Sequence, residues 1–187
     1  MSKIKIGDCF YPNSNSQDVM VLTHIDPIGY ACLSKNGGMA NQFYISKVVP
    51  IPTLHLPIGN SPKYGGAWFD MILGGVKKEE YREIAGVNKT YKNVGLLTDC
   101  RASLAQYESE NFGEVYFEKL LKSGQFNFRP WKVLHLTNGY GPKNQQLWAH
   151  IDGITIGRGN PEWGAPKDRD VFIIRLGAVF HTKNLKP

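Results

Sequence analysis

The sequence predicts a mostly β fold of the α+β class, and three observations support this prediction. Short apolar runs, separated by Gly, Pro, Asn and Asp, fill the first fifty positions. Such runs without a helical period are typical of short strands. Similar runs dominate the chain from residue 132 onward. Apolar spacing that fits a helix is confined to two short segments, so helices are expected to be minor elements.

The first predicted module is a small β domain at residues 1–53. Its expected strands are 4–11, 19–24, 30–34 and 42–49. Strands at this spacing, with turns between them, favour a small SH3-like β-barrel. About fifty residues are marginal for independent stability, so we expect this module to pack on the rest of the chain.

A proline-rich segment separates the two predicted domains. Three of the eight residues in 50–57 are proline. Because proline fixes φ and lacks a main-chain N–H, this segment is expected to be a stiff, extended connection. We place the boundary near residue 53, which leaves 54–187 as the second domain.

The second domain begins with a short helix and continues mainly with strands. The helix, 67–73, is expected to end at a glycine pair, which often supplies a left-handed C-terminal cap. A strand is expected at 77–84, then loops with one helix in 86–112. Near-helical apolar spacing predicts another helix at 114–123. The later predicted strands are 132–137, 147–151, 153–157, 171–176 and 178–181. Strands in this number favour a barrel.

Composition and charge indicate which classes of ligand the protein could bind. The chain has 187 residues and a formal net charge of +6. Residues 1–53 hold four Lys/Arg against three Asp/Glu, whereas the remainder holds 18 against 13. The basic excess therefore lies in the second domain, and it favours polyanions or phosphorylated ligands. A solubilising surface would have the same charge.

Other bulk features argue against several classes of protein. Three widely spaced cysteines without a C-x-x-C pattern argue against a disulfide framework and a zinc knuckle. No apolar run is long enough to span a membrane, and no signal peptide is recognisable at the N-terminus. We therefore expect a cytoplasmic protein with no membrane partner. The five histidines are scattered, so neither a metal site nor a cofactor is expected.

One charged stretch stands out as a candidate site. Gly75, Lys77, Glu80 and Arg82 have the spacing G-x-K-x-x-E-x-R, directly after the apolar segment 68–73. On a strand Glu80 and Arg82 share a face, while Lys77 lies where the alternation begins and is free to join either face. Such a group could bind a phosphate or a base edge. It could also act as an acid/base pair if burial lowers the pKa of the lysine. An exposed edge strand with mixed charges would explain the same pattern.

Two loops carry further candidate residues. Tyr140 follows an Asn-Gly turn and could stack on a base, or it could simply belong to the turn. Arg158 and Trp163 share a loop rich in small residues, where a cation and an aromatic ring suit phosphate contact and stacking. A buried tryptophan that plugs a barrel is an equal alternative for Trp163.

The motif and its surroundings resemble the ASCH family of small β-barrels, which are related to the PUA-type RNA-binding domains. The approach 68–73 resembles the helix before the family's motif, and 133–140, 162–164 and 171–177 resemble its later strands and loops. The resemblance covers roughly residues 55–187 and does not include the first fifty. It implies a PUA-like barrel with short flanking helices.

The resemblance also implies a cleft that holds Lys77, Glu80 and Arg82 and takes RNA or a nucleoside or nucleotide ligand. Some family members are amidohydrolases that act on an acylated cytidine nucleoside, with a threonine nucleophile where this chain has Glu80. A carboxylate is a poor substitute for an alkoxide, so Glu80 favours binding over amide cleavage. RNA binding is the leading hypothesis. The alternatives are a hydrolase of modified nucleosides or RNA that uses Lys77 and Glu80, and a protein-interaction module.

Overall fold

The computed structural model describes residues 6–25, 30–35, 41–44, 49–58, 68–84, 96–98, 127–140 and 143–185. Over these residues the elements are mostly strands, which confirms the predicted mostly β class. The strands are β1 (Cys9–Tyr11), β2 (Met20–Ile25), β3 (Tyr30–Ser34), β4 (Asn41–Tyr44), β5 (Val49–Ile51), β6 (Thr53–Ile58), β7 (Glu79–Glu83), β8 (Leu97–Thr98), β9 (Asn127–Phe128), β10 (Val133–Asn138), β11 (Gln146–Gly157) and β12 (Val171–Lys183). The helix α1 is Trp68–Leu73, and a 3₁₀ turn lies at Pro161–Trp163.

The first five strands form one sheet in the order β4-β3-β2-β1-β5. The described neighbours in this sheet pair in antiparallel fashion. Successive residues of a strand point to opposite faces, and both faces are buried near the centre of the sheet. Phe10 and Leu22 belong to one apolar cluster, whereas Cys9 and Val21 belong to another.

The second of these clusters extends beyond the sheet. It includes Val133 of β10 and Trp148 of β11, which are 0% and 1% exposed. The N-terminal sheet therefore buries one face against strands from the later part of the chain. This packing agrees with the expectation for a segment of about fifty residues, whose own core is marginal for independent stability.

A second five-stranded sheet has the order β6-β10-β11-β12-β7. Strand β6 pairs with β10 in parallel, from Val133↔Thr53 to Asn138↔Ile58. Strand β7 pairs with β12 in antiparallel fashion, from Val171↔Glu83 to Arg175↔Glu79. Among the described residues neither sheet closes into a barrel: β4 and β5 are the edges of the first, and β6 and β7 are the edges of the second.

Two details of the predicted elements need correction. The segment 50–57 is not merely an extended connection, because most of it lies in β5 and β6. Its prolines are tolerated because β5 and β6 are edge strands, where one side of the backbone needs no ladder partner. Strands β11 and β12 are each continuous where two strands were predicted, because a single glycine in a paired strand does not end it. The helix predicted at 114–123 and the loops and helix predicted in 86–112 lie almost wholly outside the described residues.

The chain divides into two compact units that are not continuous in sequence. Unit 1 comprises residues 1–76, 131–151 and 176–187, and unit 2 comprises 77–130 and 152–175. The predicted domain boundary near residue 53 stays a prediction, although the first sheet ends at Ile51 and the second begins at Thr53. Among the described residues, no helix is long and apolar enough to cross a membrane.

Candidate functional site

The helix before the motif ends in a cap with a glycine in the left-handed conformation. Gly75 has φ +73°, its N–H donates to the Ile72 carbonyl at 3.0 Å, and the Val76 N–H donates to the Met71 carbonyl at 2.8 Å. These two bonds, with a left-handed residue between them, form a Schellman cap. The glycine of the motif thus has a structural role: it ends α1 two residues before Lys77.

Lys77 is buried, although it is a lysine in a charged stretch. The residue is 2% exposed. Its ammonium group donates to the Glu79 carbonyl at 2.6 Å and the Trp163 carbonyl at 2.9 Å, and it lies 3.3 Å from Glu80 Oε2. It also lies 4.5 Å from the centre of the Tyr81 ring. An ammonium has three N–H donors, so these three oxygens account for all of them.

Burial lowers the pKa of Lys77, and the nearby Glu80 carboxylate opposes this effect. The lysine therefore has the environment that acid/base chemistry requires. It does not have the access, because its ammonium group is enclosed by protein oxygens. A substrate would reach it only if one of these contacts opened.

Glu80 links the two cations of the motif. Its Oε1 lies 3.1 Å from Arg82 Nη2, on the opposite side of the carboxylate from the Lys77 contact. The Glu80 side chain is 6% exposed and that of Arg82 is 20% exposed. The structure therefore brings Lys77, Glu80 and Arg82 together. Arg82 is the most exposed of the three.

Tyr81 connects the motif strand to the loop that carries Trp163. Its hydroxyl donates to Glu79 Oε2 at 2.6 Å and accepts from the Asn160 N–H at 2.9 Å. Burial, and then the bond to Glu79, raise the pKa of Tyr81 well above its usual value. Neutral Tyr81 can therefore serve as donor and acceptor at once.

The loop lies very close to Tyr81. A Cβ added to Gly159 would lie 2.5 Å from the Tyr81 ring and 2.7 Å from Ala165 Cβ. Only glycine fits this position without displacement of its neighbours. Asn160 then caps the 3₁₀ turn by accepting from the Glu162 N–H at 2.9 Å. Sequence reasoning missed Tyr81, Gly159 and Asn160 as parts of the site, because the bond between Tyr81 and Asn160 joins residues that lie 79 positions apart in the sequence.

The other candidates of unit 2 differ in exposure. Arg158 contacts Asp170 at 3.0 Å, yet 58% of the Arg158 side chain is exposed. Trp163 is partly buried, and its main-chain carbonyl is the group that contacts Lys77. Arg158 and Trp163 thus belong to the same compact unit as the motif strand.

Tyr140 does not belong to that unit. It is 89% exposed and follows Gly139, whose φ is +81°. It lies in unit 1, whereas Lys77, Glu80 and Arg82 lie in unit 2. The site described above is therefore built without Tyr140.

Sequence reasoning also missed a group of histidines in unit 1. The structure packs His135 and His181 against Trp148, and His55 against His135, although the sequence separates these histidines widely. Among the described residues no group of three or more His, Cys, Asp and Glu could hold a metal ion. Comparison of the chain with protein-family models, curated proteins and solved structures found no match.

Proposed function

We propose that the protein binds single-stranded RNA through unit 2, with Arg82 and Arg158 as phosphate contacts and Trp163 as a stacking residue. The observation that carries the proposal is the linked group Lys77–Glu80–Arg82. Two cations share one carboxylate at 3.3 and 3.1 Å, so the group has one net positive charge. Its two inner members are buried, which leaves Arg82 as the member nearest to solvent.

In this proposal the three motif residues have different roles. Lys77 does not contact RNA: it fixes the motif strand to the loop through the Trp163 carbonyl. Glu80 holds the Arg82 guanidinium in one orientation. A guanidinium that is already oriented loses less entropy when it forms a bidentate contact to phosphate. The buried contacts thus prepare Arg82 for an anionic ligand.

Charge and an aromatic ring on the neighbouring loop support the same class of ligand. Arg158 is more than half exposed, although Asp170 neutralises part of its charge. Trp163 lies five residues further on, where a partly buried ring could stack on a base. Because stacking and phosphate contact do not depend strongly on base identity, we expect the protein to bind RNAs of different sequence with similar affinity. Tyr140, whose ring is exposed on unit 1, is proposed as a stacking residue in its own right and not as part of the unit 2 site.

The finer fold is part of the same proposal: a PUA-like, ASCH-type fold for residues 54–187 and an SH3-like module for 1–53. The mostly β content supports it, although the two sheets do not close into barrels among the described residues. The resemblance to the ASCH family is the reason to propose RNA, or a nucleoside or nucleotide, as the ligand.

Binding of a fluorescein-labelled, unstructured RNA of about twelve nucleotides, followed by anisotropy at several salt concentrations, tests the proposal. We expect the logarithm of the affinity to fall linearly with the logarithm of salt. Replacement of Arg82 or Arg158 by Gln should weaken binding and reduce the slope by about 0.7 for each lost phosphate contact. Lys78→Gln is the matched control, because Lys78 is an exposed cation in the same motif but lies outside the linked group.

The outcomes separate the proposal from general charge attraction. If Lys78→Gln weakens binding as much as Arg82→Gln and Arg158→Gln do, the net charge of the protein and not this site binds RNA. If the wild type does not bind at low salt, the proposal is wrong.

A hydrolase is the second candidate, favoured by one observation. Lys77 has a lowered pKa and lies beside Glu80, which is the pairing needed for proton transfer. Turnover of modified nucleosides and of short RNAs, measured by chromatography, tests this alternative. Activity that survives Lys77→Met would eliminate Lys77 as the base, and activity that survives Glu80→Gln would eliminate the pair.

A further inference from the structure

Unit 1 contains a rigid aromatic group that the proposed function does not use. The rings of His135 and Trp148 stack at 4.0 Å with an interplanar angle of 6°, and His181 meets Trp148 edge-on at 4.7 Å. The Trp148 Nε1–H donates to the Gly7 carbonyl at 2.8 Å. All three side chains are buried, so their packing holds the rings in these positions.

A chain of hydrogen bonds that includes Asp8, His55 and Gln146 holds the His135 ring in place. Asp8 lies 2.9 Å from His55 Nε2, the two Nδ1 atoms of His55 and His135 lie 2.8 Å apart, and His135 Nε2 lies 3.0 Å from Gln146 Oε1. One hydrogen must lie between the two Nδ1 atoms, since two lone pairs would repel at that distance. Both nitrogens of His135 are therefore engaged within the protein.

These residues form part of a pocket of about 290 Å³. Its volume is close to the lower limit for small-molecule sites. One part of the lining is apolar and includes Ile6, Val21 and Leu22. The other part is polar or basic and includes Thr137, His181 and Lys183. A ligand with an apolar body and one polar end would match both parts.

The charge of the lining identifies the polar end of such a ligand. Lys183 brings a positive charge, and His181, two residues earlier on β12, can acquire a second. None of the described residues that line the pocket is acidic. Asp8, the nearest carboxylate in the hydrogen-bonded chain, is directed to His55. The pocket thus favours an anion over a neutral or cationic group.

We propose that this pocket binds a small planar organic carboxylate, with the carboxylate at Lys183 and His181 and the flat body against the apolar lining. A small ring suits the small volume and the His135 and Trp148 rings in the lining, and a carboxylate supplies acceptors for the two basic groups. This site is separate from the RNA site of unit 2, because its lining residues all belong to unit 1.

The titration of His181 supports the assignment. Burial and then the charge of Lys183 lower its pKa, and His135 faces it from β10, with His55 and Asp8 behind His135. A bound carboxylate would offset both causes and favour the imidazolium form of His181. Binding should therefore take up a proton and strengthen as the pH falls below neutrality.

Titration of the full-length protein with benzoate, followed by NMR of the Trp148 indole and the His181 ring, tests this inference. Saturable shifts of both signals, together with a His181 pKa that rises with benzoate, are expected. Two control ligands separate charge from shape. Benzamide has the shape of benzoate but no charge, and acetate has the charge but no ring. Both should bind at least tenfold more weakly.

Matched variants assign the charge requirement to one residue. Lys183→Gln should weaken benzoate binding at least fivefold, whereas Lys167→Gln, which removes an exposed lysine of unit 2, should not change it. Lys183 is exposed, so its replacement should leave the near-ultraviolet circular dichroism spectrum unchanged. Absence of saturable shifts, equal affinity for benzamide, or unchanged affinity in Lys183→Gln would each overturn the proposal. Arg82→Gln should retain benzoate binding whether or not RNA binds.

Discussion

The Lys77 ammonium group donates a hydrogen bond to the main-chain carbonyl of Trp163, 86 residues later in the sequence, at 2.9 Å. This bond joins the motif strand to the loop that holds the 3₁₀ turn. It gives the motif lysine a structural role before any ligand is considered. A charge in the core is costly unless every donor has an acceptor, and here each donor has one.

Replacement of Lys77 by Met should therefore destabilise the protein strongly. The substitution keeps the volume but leaves the Glu79 and Trp163 carbonyls without their donor. Each buried, unpaired polar group costs about 1–3 kcal/mol. We expect the free energy of unfolding, measured with urea, to fall by at least about 2 kcal/mol. Lys78→Met, at an exposed position of the same stretch, should change it by less than about 0.5 kcal/mol. Equal effects of the two changes would contradict a structural role for Lys77.

Gly159 should be similarly sensitive, for a steric reason. In Gly159→Ala the new methyl group would meet the Tyr81 ring and Ala165 at 2.5 and 2.7 Å. Overpacking of this kind typically costs about 1–3 kcal/mol. Gly157→Ala is the matched control, because its nearest neighbour would be the Ile173 side chain at 3.7 Å, an ordinary contact. Thermal unfolding of the two variants compares them directly, and a Tm for Gly159→Ala at or above that of Gly157→Ala would show that the loop yields easily.

The glycine of the motif should be replaceable by asparagine but not by alanine. Gly75 has φ +73°, and a Cβ at this position would meet no described atom within 4 Å, so backbone strain is what opposes a side chain there. Ala in the left-handed region costs about 1–2 kcal/mol, whereas Asn tolerates that region better. In urea unfolding, the free energy of unfolding of Gly75→Asn should lie closer to that of the wild type than the free energy of Gly75→Ala does. The reverse order would contradict the Schellman cap.

Local patterns allowed several elements to be predicted from the sequence. Strand β3 was predicted at its observed bounds, because a short apolar run between two turns is a signal that depends only on near neighbours. The end of α1 at a glycine pair was predicted for the same reason. The convergence of Glu80 and Arg82 follows from the two-residue period of a strand.

Contacts between distant segments could not be predicted in this way. The burial of Lys77 depends on the Trp163 carbonyl, a main-chain group that no side-chain pattern reveals. The contact between His55 and His135 depends on the parallel pairing of β6 with β10, where these residues are direct partners. The three prolines of segment 50–57 concealed that pairing, because they favoured an extended connection over a strand.

The His55–His135 contact leads to a prediction about acid stability. Burial, and then the charge of His55, lower the pKa of His135 to about 4 from an ordinary value of 6.5. Between these values the unfolded chain binds a proton that the folded protein does not bind. The stability that His135 contributes is therefore complete above the ordinary value of 6.5 and is lost as the pH falls towards about 4. At about 1.36 kcal/mol per pKa unit, the loss is about 3 kcal/mol.

Urea unfolding at a series of pH values between about 7 and about 4 measures this loss. Wild type should lose stability over the window, and His135→Gln should lose about 3 kcal/mol less over the same window, because glutamine does not titrate. His24→Gln is the control, because it removes an exposed histidine of β2 that is not part of the hydrogen-bonded chain. His181, whose pKa burial also lowers, adds a contribution of the same sign that remains in both variants. Parallel pH profiles for wild type and His135→Gln would show that His135 accepts a proton in the folded state as readily as in the unfolded chain.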